Sequence, residues 1–142
     1  MQMIVVSAAA IILFLISAIH VYWAFGGQWG GKAAVPQKEG GRPAFVPGPA
    51  PTFAVAFIVL AVGLLLLVQS GQLSLLDSNA FTRICCILCT AVFFLRAVGD
   101  FKYVGFFKTV KHSVFSRNDT WLYSPLCLYL AISFAIAVWG SA

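Results

Sequence analysis

Apolar residues fall into long runs that are separated by short stretches rich in polar residues, Gly and Pro. The runs at residues 3–25, 51–68 and 121–140 contain no Asp, Glu, Lys or Arg. A helix of ~20 apolar residues is long enough to cross the hydrocarbon core of a bilayer. The pattern therefore predicts three membrane-spanning helices.

A fourth span is predicted at residues 81–99, although this segment contains Arg83 and Arg96. Only residues 84–95 separate the two arginines, so the segment crosses the membrane only if both side chains extend outward to the interfaces. With this span, the sequence predicts an all-α protein whose four transmembrane helices form an antiparallel bundle. We expect one membrane domain over residues 1–142.

The connections between the spans differ in character. Residues 26–50 hold seven of the 12 Gly, which predicts irregular backbone in water or packed on the end of the bundle. In residues 100–120, apolar positions recur at helical spacing from Tyr103 to Val114, with basic residues between them. This spacing predicts a short interfacial helix in the third connection. The Ser124-Pro125 pair indicates either the start of the last helix or a kink one turn inside it.

Composition and charge support a membrane location. Hydrophobic residues make up 61% of the chain and charged residues 9%, against about 45–50% and about 25% in soluble domains. Eight of the nine Lys and Arg lie at the end of the bundle that carries residues 26–50 and 100–120. The positive-inside rule therefore predicts that both connections are cytoplasmic and both termini outside. Basic residues beside apolar runs indicate membrane lipids as partners, and no nucleic acid.

Polar side chains at membrane depth gather at this same end. Ionisable residues in such positions are costly and indicate function by default. Three spans and the third connection contribute the candidates, which are His20, Trp23, Arg96, Asp100, Tyr103, Lys108, Asp119 and Tyr123.

Arg96 and Asp100 are four residues apart, so on a continuing helix they share a face and can pair. Two interpretations are open. The pair is either a structural ion pair that fixes a loop, or Arg96 binds an anionic ligand that Asp100 orients.

His20 is the only ionisable side chain in the first span. An imidazole there can shuttle a proton, bind a metal or form a hydrogen bond to a neighbouring helix, and the interhelical bond is the interpretation we favour. No metal site is predicted, because His112 lies in a connection and the acidic residues lack ligand spacing.

Cys86 and Cys89 form a C-x-x-C pair inside the third span. Thiols surrounded by hydrocarbon are weak nucleophiles, so small-residue helix packing is the simpler interpretation and thiol redox chemistry the alternative. The sequence contains no phosphate-binding glycine loop or catalytic triad order, and the cofactor is left unassigned.

Three motifs in order resemble a known family. They are H-x-Y-W-A-x-G-G-x-W-G from residue 20, LRAVGDFKYVGFFK at residues 95–108, and F-x-x-x-D-T-x-x-Y-S-P-L-C-L from residue 115. They are similar to a bacterial family of small four-helix membrane proteins known as a domain of unknown function. The resemblance implies the four-helix fold and a bacterial inner-membrane location, and it implies no substrate or reaction.

The leading functional hypothesis is a cytoplasmic-face site for a small amphipathic anionic molecule, such as a lipid or isoprenoid headgroup. Arg96 and Lys108 would hold the anion, with Tyr103, Tyr123 and Trp23 around it. The candidate catalytic groups are His20, Asp100 and Asp119, which would orient the ligand or move protons. A structural or assembly subunit with a membrane protein partner is the first alternative, and a membrane thiol oxidoreductase the second.

Overall fold

The computed structural model describes residues 1–140, and every regular element within them is helical. Four helical segments are long and apolar enough to cross a membrane. The predicted all-α, four-helix fold is therefore confirmed, and the protein is a multi-pass membrane protein. The segments are α1 (Gln2–Ala24), α3 (Pro49–Gln69), α4 (Ala80–Val98) and Val114–Gly140, with the short α2 (Gly31–Ala34) in the first connection.

Local sequence signals explain where the helices begin and end. Gly48 caps α3, and a proline occupies the first helical position, where its missing N–H costs nothing. At the start of α4, the Asn79 side chain accepts from the Thr82 N–H, while the Thr82 hydroxyl accepts from the Asn79 N–H. This capping box fixes the beginning of α4. Gly99, with φ of +93°, ends it.

The helices pack as two close pairs, α1 with α3 and α4 with the last span. The two pairs meet where α1 contacts the last span and where α3 contacts α4. Small residues allow the close approach, because a side chain at Gly63 would come within 2.7 Å of the Phe14 ring. In α4 only Cys86 and Ala97 are buried, so this helix lies at the edge of the bundle. The core consists of Val6, Ala9, Ala10, Leu13, Leu66, Cys86, Leu130, Phe134, Ala137 and Val138.

The third connection differs from the predicted interfacial helix. Residues 101–113 form turns and bends, and the short helix of this connection is α5 (Val114–Asn118), which continues into the last span. The last span therefore begins at Val114 rather than at residue 121. The helical spacing is overridden because Gly99 and Gly105 cross: a Cβ at Gly99 would lie 2.6 Å from the Gly105 Cα. Both glycines also have positive φ, which suits residues without a Cβ.

A π-helical turn at Asp119–Tyr123 joins α5 to α6 (Ser124–Gly140). The Ser124 N–H donates to the Asp119 carbonyl oxygen, five residues back. Pro125 has no N–H to donate, and the ring of a proline crowds the preceding turn of a helix. A π turn contains one extra residue, which relieves this crowding. The Ser124-Pro125 pair therefore lies inside a continuous helical segment and does not start it.

Candidate functional site

Asp119 is the most deeply buried acidic group at this end of the bundle, with 0% of its side chain exposed. Its Oδ1 accepts from Arg96 Nη2 at 2.9 Å, and its Oδ2 accepts from the Gly105 N–H at 2.7 Å and from Lys108 Nζ at 3.1 Å. The carboxylate thereby joins the end of α4, the third connection and the π turn. We call Arg96, Lys108 and Asp119 the Asp119 cluster.

Lys108 is fully engaged inside the protein. Its side chain is 1% exposed, and the ammonium group donates to the Gly105 carbonyl at 2.9 Å and Thr120 Oγ1 at 2.6 Å as well as to Asp119. A protonated lysine has three N–H donors, and all three have partners here. The role predicted for Lys108, holding an anionic ligand, would require one of these bonds to break.

Arg96 is the member of the cluster that reaches the surface, with 33% of its side chain exposed. Its Nη1 is buried and has no hydrogen-bond partner among residues 1–140, and the same holds for Ser124 Oγ. Two cations and one carboxylate leave the cluster with a net charge of +1. The remaining donor capacity of the cluster is therefore concentrated on Arg96.

Asp100 does not pair with Arg96 as the four-residue spacing predicted. Its Oδ1 accepts from the backbone N–H groups of Lys102, Tyr103 and Val104 at 2.9, 2.8 and 3.0 Å. The pairing fails because α4 ends at Val98, so the helical relationship between the two side chains is broken at Gly99. Slight burial raises the pKa of Asp100, but the backbone N–H groups outweigh it and the pKa is lowered overall. Asp100 thus organises a turn.

His20 lies apart from the Asp119 cluster. Its Nδ1 is 2.8 Å from the Ile16 carbonyl oxygen in the same helix, so the expected interhelical hydrogen bond is replaced by one within α1. Because a carbonyl oxygen only accepts, this contact assigns the proton of the neutral ring to Nδ1 and leaves Nε2 as an acceptor. The Trp23 ring packs edge-on against the imidazole at 5.1 Å, and Trp23 Nε1 donates to the Trp29 carbonyl.

A cavity of about 440 Å³ opens beside His20, between the end of α1, the start of α3 and the first connection. We call it the His20 cavity. An adjoining cavity of about 340 Å³ shares part of this lining and includes Lys32. The residues that line the His20 cavity include His20, Trp23, Ala34, Val35, Phe45 and Val55.

Tyr123 connects the π turn to the wall of the His20 cavity. Its hydroxyl donates to the Ala33 carbonyl oxygen at 3.0 Å, and its ring packs against Phe115 at 5.8 Å. Ala33 belongs to α2, and α2 also contributes Ala34 to the cavity lining. The Asp119 cluster therefore lies at one end of a chain of contacts whose other end is the cavity.

A family model described as "Protein of unknown function (DUF3995)" matches residues 13–134. The chain belongs to the DUF3995 family. This confirms the resemblance to a domain of unknown function, and the matched region contains both the Asp119 cluster and every residue that lines the His20 cavity. Neither the curated proteins nor the solved structures include a match to the chain.

In this DUF3995 protein, the eight predicted site residues therefore separate into several groups. Arg96, Lys108 and Asp119 come together, His20 and Trp23 form a second group, and Tyr123 lies between them. Tyr103 lies outside both groups, with Lys102 Nζ 5.2 Å from its ring centroid. The sequence pattern indicated neither Gly105, which takes part through its backbone N–H, nor the cavity residues of the first connection.

The four cysteines are free, and Cys86 is buried in the core while Cys85, Cys89 and Cys127 are partly buried. Thiol chemistry at Cys86 and Cys89 stays a prediction. Among residues 1–140, no group of three or more His, Cys, Asp or Glu is placed to hold a metal ion.

Proposed function

We propose that this DUF3995 protein binds a small amphipathic anionic molecule in the His20 cavity. The observation that carries the proposal is an open space with mostly apolar walls that is lined by His20, whose Nδ1 is held by the Ile16 carbonyl. Ligand sites are typically concave and apolar with a few polar groups that fix orientation.

The walls suit the apolar part of such a ligand. Val35, Phe45 and Val55 come from two different segments and face the same space. The adjoining cavity brings Lys32, which is exposed, to the rim. A molecule with a chain against the walls and a negative group beside Lys32 satisfies both features without burying an unpaired charge.

His20 would contribute a specific hydrogen bond. With Nδ1 committed to the Ile16 carbonyl, the Nε2 of the neutral ring accepts from a hydroxyl or amide group of the ligand. The Asp119 cluster would act indirectly, because Tyr123 holds α2 and α2 forms part of the cavity wall.

The proposal includes a cytoplasmic position for this end of the bundle in a bacterial inner membrane, with both termini outside. The distribution of basic residues supports it, since eight of nine lie at this end. Fusing a reporter that is active only in the cytoplasm to each terminus tests the orientation.

Native mass spectrometry of the protein in mild detergent, with extraction and identification of bound small molecules, tests the function. We expect the wild-type protein to retain an amphipathic anion that is lost in His20→Ala and in Ala34→Trp, which fills the cavity. His112→Ala is the matched control, because His112 is exposed in the third connection. Retention of the same molecule by all variants, or a wild-type protein without any bound molecule, contradicts the proposal.

A structural or assembly subunit is the second candidate, and the exposure of α4 favours it. Only Cys86 and Ala97 of this helix are buried, so most of its surface is available to another membrane protein. Copurification of a stoichiometric protein partner, together with an empty His20 cavity, would support this candidate over the first.

A further inference from the structure

The third connection has an inverted arrangement of polar and apolar side chains. Lys108 is buried, whereas Phe101, Phe106 and Phe107 are exposed, with Phe107 64% exposed. The rings of Phe101 and Phe107 lie 6.4 Å apart, so they form one aromatic patch. An arrangement that buries a lysine and exposes three phenylalanines is unfavourable in water, where apolar surface is preferentially buried.

The backbone holds the phenylalanines in these positions. The Phe106 N–H donates to the Ala97 carbonyl at 2.9 Å, and the Val110 N–H donates to the Lys102 carbonyl at 2.9 Å. Phe101 has a φ of +63°, a conformation that bulky residues rarely adopt. Such a conformation persists only where the surroundings determine it, and here the neighbouring Asp100 accepts from three consecutive N–H groups.

Charge complements the aromatic patch. Lys102, Lys111 and Arg117 are exposed in and beside the connection. Asp119 is paired within its cluster, and Asp100 accepts from backbone N–H groups, so neither acid forms an ion pair with these side chains. The charge of Asp100 offsets one of the three exposed cations and leaves the other two. The surface therefore combines exposed phenylalanines with a net positive charge.

The position of the connection identifies what covers it. It joins the ends of two membrane-spanning segments, and Trp121, near the start of the second, is 81% exposed. Aromatic and basic side chains at this level are favoured in the interfacial layer, where the ring meets acyl chains and the cation meets phosphate.

We propose that the third connection is a docking surface for anionic lipid headgroups, in which Phe101, Phe106 and Phe107 enter the headgroup boundary and Lys102 and Lys111 contact phosphates. This surface is separate from the His20 cavity, so the proposal stands or falls independently of the proposed function.

Lipid selectivity tests the charged half of the proposal. The full-length protein is equilibrated with equal amounts of phosphatidylglycerol and phosphatidylcholine, and the retained lipids are counted by native mass spectrometry. We expect a preference for phosphatidylglycerol that falls about fivefold or more in Lys102→Gln/Lys111→Gln, given roughly a few-fold per interfacial cation. Lys38→Gln/Arg42→Gln removes the same charge from the first connection and is the matched control. Equal loss in both double variants would overturn the proposal.

Lipid contact tests the aromatic half. In Phe107→Trp, placed in phosphatidylglycerol bilayers, lipids brominated near the headgroup should quench the added tryptophan emission, measured as the difference from the wild-type protein. Thermal unfolding equal to that of the wild-type protein shows that the variant is folded. An added emission that brominated lipids leave unchanged in the folded variant would overturn the proposal, and would leave the surface to a protein partner.

Discussion

The Asp119 cluster and the His20 cavity lie at the same end of the bundle, yet they treat polar groups in opposite ways. In the cluster, the carboxylate has three donors and Lys108 has a partner for every proton, while Arg96 Nη1 is the one buried side-chain donor of the cluster without a partner among residues 1–140. In the cavity, His20 lines an open space with mostly apolar walls, and its Nδ1 is bonded to the Ile16 carbonyl of its own helix. A buried charge at membrane depth therefore need not mark a binding site. A polar side chain that lines an open cavity is the better candidate.

The largest expected effect comes from removing the carboxylate of the cluster. Asp119→Asn leaves two cations next to each other without a counter-ion, and we expect a loss of about 3–5 kcal/mol in the free energy of unfolding. Thermal unfolding in mild detergent measures it. Asp77→Asn, at an exposed acid in another connection, is the control and should leave the melting temperature nearly unchanged. Equal stability of the two variants would show that the cluster does not hold the fold.

A smaller effect separates the two cations. Lys108→Gln removes a charge that is 1% exposed, whereas Arg96→Gln removes one that is 33% exposed. We expect about 2–4 kcal/mol of destabilisation for Lys108→Gln and about 1–2 kcal/mol for Arg96→Gln, because solvent screens the more exposed pair. Denaturant unfolding of the two variants side by side gives the difference. A larger loss of unfolding free energy in Arg96→Gln than in Lys108→Gln would contradict the assignment of Lys108 as the more strongly stabilising cation.

Tyr123→Phe addresses the link between the two regions. The variant keeps the ring and loses the hydrogen bond to the Ala33 carbonyl, so we expect a cost of about 0.5–1.5 kcal/mol. If α2 depends on this bond, the ligand retained by the wild-type protein should also dissociate more readily in native mass spectrometry. Leu122→Ala, at an exposed position in the same π turn, is the control. Unchanged ligand retention in a folded Tyr123→Phe protein would uncouple the cluster from the cavity.

The smallest expected effect is a change in local stability with pH, caused by protonation of Asp100. Its pKa is lowered from the ordinary value of 3.8, so the stabilisation it provides is present above that value and is lost as the pH falls through the lower pKa of the folded protein. The protection of the Lys102, Tyr103 and Val104 amides against hydrogen exchange, corrected for the intrinsic rate at each pH, should therefore decrease as the pH falls through the folded-state pKa of Asp100, below 3.8. In Asp100→Asn, which has no carboxylate to protonate, the protection of these amides should change less over the same pH range. Identical acid profiles in the two proteins would argue against the role of Asp100.

The sequence predicted the four membrane-spanning helices because hydrophobic length is a local property. Residues 51–68 and 81–99 were expected as spans, and helices occur at Pro49–Gln69 and Ala80–Val98. The interfacial helix at Tyr103 to Val114 could not be judged from spacing alone. The close crossing of Gly99 and Gly105 excludes a regular helix there, and that crossing is a tertiary contact.

The candidate residues were found more readily than their partners. Arg96, Lys108 and Asp119 stood out because charge is rare at membrane depth, but Asp100 was the nearer acid in sequence and Asp119 is the partner in space. Residues 23 positions apart on adjacent antiparallel segments leave no periodic signal. The His20 cavity could not be predicted from the sequence for the same reason, since its walls come from α1, α3 and the first connection.

The order of the Asp119 cluster along the chain bears on how the protein is made. Arg96 and Lys108 precede Asp119, so both cations leave the ribosome before the carboxylate they neutralise. The last segment therefore brings Asp119 to two cations that are already synthesised. A newly made chain stopped before Asp119 would carry two cations without their counter-ion. The final hydrophobic segment thus completes the ionic contacts of the third connection as well as the bundle.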